Sequence, residues 1–225
     1  MLVRFRDVRR VTPPDASAGA VIVLAPLAQN GALAREYGAA DFPVRDARCR
    51  PWVAGLWSNA VQTPGLGRSA AAIASFYGAY SAPRPHSTSL ADVTLMEALE
   101  VIVAAPSAAA AARLTPGPVA ARCQQASLWA RKLPSLPFGW VPGQLRQITV
   151  PGVGQNSSAW RLYGAAGIPV LRTTWIDTFR VSRYVVQVIA AMWPGIKNPA
   201  AVLHQLANAA YARARQVLAV RTSGT

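Results

Sequence analysis

Toward the C-terminus, Leu203, Leu206, Ala210, Ala214 and Val217 recur three and four residues apart, which lays one apolar stripe along a helix. Pro199 suits the first turn of that helix, which is predicted to run to about Val220. Arg213 and Arg215 fall near its end, where the helix dipole favours cations, and His204, Asn208, Tyr211 and Arg215 line another face. Upstream, Tyr184-Val185-Val186-Gln187-Val188-Ile189 is apolar on both faces except at Gln187, the pattern of a central strand. Two β-rich runs are predicted here, over 170–179 and 184–191, with Pro194-Gly195 closing them. Earlier, the apolar run 93–105 ends at Pro106, and the Ala-rich stretch 107–125 reads as a helix that Pro116-Gly117-Pro118 breaks or kinks.

An internal echo organises these elements. Residues 64–79 read PGLGRSAAAIASFYGA and residues 151–165 read PGVGQNSSAWRLYGA. Both begin with a Pro-Gly-x-Gly turn and close on Tyr-Gly-Ala. The pattern predicts an α+β fold, a mostly antiparallel sheet built from two similar strand-strand-helix halves, about 42–126 and 140–220, with helices packed on one face. Residues 134–143, rich in Pro, Gly and aromatics, connect the halves. Residues 35–225 then form a single domain. For residues 1–34 two readings stand. Arg4, Arg6, Arg9 and Arg10 before the apolar run 20–25, with Ala32-Leu33-Ala34 beyond it, fit a signal segment cleaved after Ala34. Pro13, Pro14 and Pro26 interrupt that pattern and favour two N-terminal strands, 2–11 and 20–25.

Composition narrows the classes. A hydrophobic fraction of 52% excludes a chiefly disordered chain, and no run of 18 apolar residues reads as a membrane span. The net charge of +14 is lopsided: residues 1–100 hold ten arginines and eight acids, whereas 101–225 hold thirteen basic residues and one acid, Asp177. Such a surface attracts phosphate, anionic lipid or acidic partners at least weakly. Alternatively the arginines are dispersed over solvated faces and give only solubility, which the lack of any run of five basic residues favours. Basic residues beside aromatics, in Trp129-Ala130-Arg131-Lys132, Trp160-Arg161 and Phe179-Arg180, suit stacking with phosphate contact, although no nucleic-acid-binding motif accompanies them. The candidate anion or partner contacts are Arg131, Lys132, Arg146, Arg161, Arg180 and Arg183.

Catalytic chemistry finds little support. Of the two histidines, His86 lies in a hydroxyl-rich loop and His204 on a polar helix face; Asp92 and Asp177 are available carboxylates, but no nucleophile elbow accompanies them. Glu97 and Glu100 would share a face only if their segment were helical. Gly65-x-Gly67 and Gly152-x-Gly154 lack the third glycine of a dinucleotide fingerprint and read as turns. The scattered His and Cys offer no metal-ligand spacing, so no metal, no cofactor and no enzyme activity are expected. Cys49 and Cys123 stand too far apart for a redox pair of adjacent cysteines, and either one disulfide or two buried thiols fits.

A set of motifs resembles actinobacterial secreted and lipid-anchored domains similar to the extracellular sensor domain of mycobacterial receptor Ser/Thr kinases. They are an early cysteine in Ala47-Arg48-Cys49-Arg50-Pro51-Trp52, the strand and Ala-rich stretch from Ile102 to Arg122-Cys123, the turn Val150-Pro151-Gly152-Val153-Gly154, and the hairpin around Val181-Ser182-Arg183-Tyr184. The likeness spans roughly 42–220. It implies a Cys49–Cys123 disulfide and a non-enzymatic, secreted or envelope domain that binds a ligand or partner. The chain departs from the pattern in having Ser182 where a glycine is usual, one cysteine pair instead of two, no cysteine after the N-terminal apolar run, and its high charge. The charge keeps a second class open, a basic structural or interaction protein of a nucleic-acid-containing assembly such as a virion or ribonucleoprotein.

Overall fold

The computed structural model describes residues 17–26, 46–53, 70–80, 94–129, 142–163, 173–192 and 196–222. Its strands are β1 (Ser17–Pro26), β2 (Ala70–Tyr80), β3 (Thr94–Ala104), β4 (Gln125–Trp129), β5 (Pro142–Ile148), β6 (Gln155–Tyr163), β7 (Thr173–Val181) and β8 (Tyr184–Met192). They form one sheet in the order β1-β2-β3-β8-β7-β6-β5-β4, every neighbouring pair antiparallel. The α-helices are α1 (Arg50–Val53), α2 (Ala108–Leu114) and α3 (Pro199–Thr222), with short 3-10 turns at Ala47–Cys49 and Ala121–Cys123. The α+β class and the mostly antiparallel sheet are as the sequence predicts. The first Pro-Gly-x-Gly turn of the echo lies outside the described residues, as do 2–11 and Ala32-Leu33-Ala34.

Each face of the sheet has its own core. On one face, Phe179, Val186, Val188 and Ala190 pack under Leu203, Leu206, Ala207, Ala210 and Ala214 of α3. The stripe read from the sequence is thus the buried side of α3, and Asn198 accepts from Ala201 N to cap its start before Pro199. On the other face, Leu145, Trp160 and Ile176 pack against Cys49, Val119, Cys123 and Ala126. The short α2 lies on this second face: Arg180, which alternates with Phe179, donates to Ala108 O. Ser107 Oγ caps α2 by accepting from Ala110 N at 3.1 Å. Helices on a single face, the sequence expectation, describe only α3. A strand apolar on both sides, as β8 is, needs cover on both, and α2 with the disulfide-linked segment supplies the second layer.

Cys49 and Cys123 are joined by a disulfide, with Cα atoms 5.3 Å apart. Asp46 starts the turn that presents Cys49: its carboxylate accepts from Arg48 N, its carbonyl accepts from Cys49 N, and Trp52 Nε1 donates to Pro118 O at 2.9 Å. Gln187, the polar exception in β8, is buried and donates to Thr178 Oγ1 of β7 at 3.1 Å, which satisfies it in place.

Two backbone positions carry opposite lessons. Gly154, at φ +67°, ends the Pro-Gly-x-Gly turn, and a Cβ there would fall 3.0 Å from both Arg180 O and Phe179 Cδ2. Ser182, in the β7–β8 turn where glycine is usual in the resembled family, has φ +56° and is exposed. A left-handed conformation strains a non-glycine residue by about 1 kcal/mol. Ser182→Gly is therefore expected to raise stability by up to about 1 kcal/mol, whereas Gly154→Ala lowers it by more, as read from urea midpoints of the two variants. A neutral Gly154→Ala would contradict the packing of this turn.

Candidate functional site

The helix α3 packs over β7 and β8, and the same face of β4, β5 and β6 extends beyond it. Strand alternation places Gln125 and Ser127 of β4, Gln144 and Arg146 of β5, and Arg161 of β6 on this outer face. All are exposed except Arg161, which is half-buried. The register aligns Gln125, Arg146, Arg161 and Trp175 in one row across four strands. Arg146 and Arg161 are direct cross-strand partners, one on each of two adjacent strands. The Arg161 guanidinium carbon lies 4.9 Å from the centre of the Trp175 ring, a cation–π stack that fixes its plane. Beside the pair, Gln125 Nε2 donates to Gln144 Oε1 at 3.4 Å.

A cleft of about 340 Å³ adjoins this face where β5 ends at Ile148 and β6 shifts register between Gln155 and Ser158. Its polar walls are Gln124, Gln147, Thr149, Ser157 and Ser158. Asn156, at φ +52°, sits in the irregular stretch and donates from Nδ2 to Thr115 O. Ser158 Oγ accepts from Trp160 Nε1, and Ser157 Oγ donates to Asp177 Oδ1 at 3.1 Å. Asp177 is wholly buried, and its Oδ2 has no hydrogen-bond partner. Burial pushes its carboxyl up to about 7, against the smaller pull of the Ser157 and Thr178 hydrogen bonds. The cleft presents neutral hydrogen-bonding groups backed by a carboxyl that holds its proton in mildly acidic solution. His204 Nε2 is 2.8 Å from Asn208 Nδ2, one turn along α3.

Of the six predicted basic contacts, Arg146 and Arg161 come together. Arg180 is on the opposite face against α2, and Arg183 lies in the β7–β8 turn with its guanidinium carbon 5.5 Å from the Tyr184 ring centre. Arg131 and Lys132 fall outside the described residues, as do His86 and Asp92. Glu97 and Glu100 lie in strand β3, so the helical arrangement that would pair them does not form; Glu100 is buried. Among the described residues, no cluster of three His, Cys, Asp or Glu is placed to hold a metal ion, and no helix is long and apolar enough to cross a membrane. The Ser157–Asp177 pair was not anticipated, although Asp177 stood out as the one acid after residue 100.

Asp177 sets a pH dependence. In the unfolded chain its carboxyl has the ordinary value of 3.8, so between there and about 7 the folded state binds the extra proton. Its contribution is most favourable below pH 4 and is lost as pH rises through 7, by roughly 3 kcal/mol between pH 5 and pH 8. Asp177→Asn should flatten this slope and be more stable than the native chain at pH 8, as measured by urea unfolding at both pH values. An unchanged slope in the variant would assign the dependence to another group.

No family model and no curated protein matches the chain. Solved structures do. The extracellular domain of PknH from Mycobacterium tuberculosis is similar at 11% identity and a TM-score of 0.47, over 92% of this chain and 91% of that one. A protein of Mycobacterium smegmatis, the Rv0999 ortholog, is similar at 11% identity and a TM-score of 0.48, over 92% of this chain and 95% of that one. The first is an extracellular domain from a mycobacterium, the kind of protein that the sequence motifs resemble.

Proposed function

We propose that this chain is an exported, disulfide-stabilised binding domain of the cell envelope, with no catalytic activity of its own, whose outer β4–β6 face engages an anionic ligand or partner. The observation that carries the reading is the Cys49–Cys123 disulfide, whose residues are 2% and 1% exposed within the second core. Disulfides of this structural kind persist in oxidising compartments and are rare where glutathione keeps thiols reduced. Closing a loop of 74 residues, the bond stabilises the fold by about 4 kcal/mol in the chain-entropy model. The excess of cations supports the rest: electrostatic attraction raises the encounter rate with an anionic partner and makes binding weaken with salt.

The test is the intact mass of natively expressed protein, alkylated before and after reduction under denaturing conditions. The expected chain takes up no alkyl group until it is unfolded and reduced, and then takes up two. Alkylation of both cysteines without reductant would overturn the envelope reading and favour the basic protein of an intracellular nucleic-acid assembly. The same mass reads the N-terminus. Cleavage after Ala34 would remove β1 and leave β2 at the edge of the sheet, whereas an uncleaved chain keeps the β1–β2 pairing.

A further inference from the structure

We infer that the cleft between the end of β5 and the bulge of β6 binds an uncharged saccharide unit, at a site apart from the arginines of the outer face. Residues 101–225 hold thirteen basic side chains, yet none of them lines this cleft. Its polar walls are two primary amides, on Gln124 and Gln147, and three hydroxyls, on Thr149, Ser157 and Ser158. A carboxylate or phosphate there would lose water without meeting a cation, and a cationic ligand would meet no carboxylate on the walls. Ligand clefts are mostly apolar with a few polar groups. Here that proportion is reversed, which suits a ligand polar over most of its surface. The volume of about 340 Å³ is at the small end of the usual range of about 300–1,000 Å³, room for one or two sugar rings.

The hydrogen-bonding groups match hydroxyls, which both donate and accept. Each amide sets a carbonyl acceptor beside an NH2 donor, a pair that two adjacent sugar hydroxyls meet together. Among the described residues, neither the Gln124 nor the Gln147 side chain is hydrogen-bonded to another residue. Ser157 Oγ donates to the buried Asp177 at 3.1 Å, so its proton is directed inward and its lone pairs remain for a ligand donor. Ser158 Oγ accepts from Trp160 Nε1 at 3.2 Å and keeps its own proton to donate. Strand alternation would send these two successive side chains to opposite faces. The bulge between Gln155 and Ser158 re-aims them into one cleft. Asn156, left-handed at φ +52° and bonded to Thr115 O, holds that bulge against its backbone strain. The half-buried Ile148 supplies an apolar contact for the C–H face of a ring.

The full chain is titrated with glucose, galactose, N-acetylglucosamine and trehalose, and binding is read by saturation-transfer NMR. Saturable binding of at least one of them is expected. Gln147→Ala removes an amide wall, and Thr149→Val removes a hydroxyl at nearly constant volume. Each should weaken that binding about three- to tenfold, the effect of one neutral hydrogen bond. Gln205→Ala removes an exposed amide on α3, away from the cleft, and should leave the affinity within about twofold. Arg146→Gln should also leave it within about twofold, which separates this site from the outer face that carries the proposed function. Because no charge takes part, raising sodium chloride from about 0.05 to 0.5 M should change the affinity by less than about twofold. The substituted residues are exposed or half-buried, so the variants are expected to fold, and their thermal unfolding checks this. No saturable binding of any of the four sugars overturns the inference. So does binding that Gln147→Ala and Thr149→Val leave unchanged, that Gln205→Ala weakens as much as Gln147→Ala, or that Arg146→Gln abolishes.

Discussion

Strand β8 lies in the middle of the sheet with apolar side chains on both faces, and an apolar residue on either face must be shielded from water. Val186, Val188 and Ala190 point to one side, Val185 and Ile189 to the other. One layer of helix is therefore insufficient. The long α3 shields the first side with a continuous stripe of small and large residues, the interdigitation that close packing needs. The second side receives only α2, a helix of seven residues, together with α1 and two 3-10 turns. Helices that short do not hold themselves in water. The disulfide ties two of these pieces to each other over Trp160 and Leu145, so a covalent bond stands where a longer helix would otherwise be needed.

The same constraint explains where polar residues are tolerated inside. Gln187 interrupts the apolar run of β8, and its cross-strand partner in β7 is Thr178, which accepts its hydrogen bond. Burial of that pair costs little because the donor is satisfied. Asp177, one residue earlier and on the opposite face, is only half satisfied, since Ser157 bonds Oδ1 and nothing bonds Oδ2. The physical outcome is a proton retained on the carboxyl. Two neighbouring polar residues on one strand thus differ in that Thr178 meets a matched partner, whereas Asp177 keeps one carboxyl oxygen unsatisfied.

Much of this was legible in local pattern. The α3 stripe, the apolar run that became β3 and the strand pair β7 and β8 were all readable, because their signals lie within a few residues of one another. The Ala-rich stretch 107–125 was only partly so. Its helix stops at Leu114, just before Pro116, and from Gln125 the chain is strand β4. Strands β5 and β6 were hidden for another reason. Gln144, Arg146, Asn156 and Ser158 give them polar sequences, and polar alternation marks a strand only when the buried residues between, here Leu145 and Trp160, are known to face a core. The charge on Arg146 and Arg161 was visible in the sequence and their juxtaposition was not. It depends on the β5–β6 register, which the turn at Gly154 and the bulge near Ser158 set through contacts with Phe179 and Thr115.

The position of the cationic row follows from width. A helix with its side chains is about 10–12 Å across, and strands lie about 4.8 Å apart, so α3 shelters little more than the two strands on which it packs. Five strands run from β8 to β4, and the face of β4 to β6 beyond the helix must carry residues that water accepts. Gln125, Ser127, Gln144 and Arg146 meet that requirement, while the opposite side of the same strands stays apolar under the disulfide. Solvation alone would be satisfied by any mixture of polar side chains. In the row that pairs Arg146 with Arg161, the Arg161 guanidinium stacks on Trp175 of β7, the strand on its other side, and polar alternation on this face follows from its lack of a covering helix among the described residues.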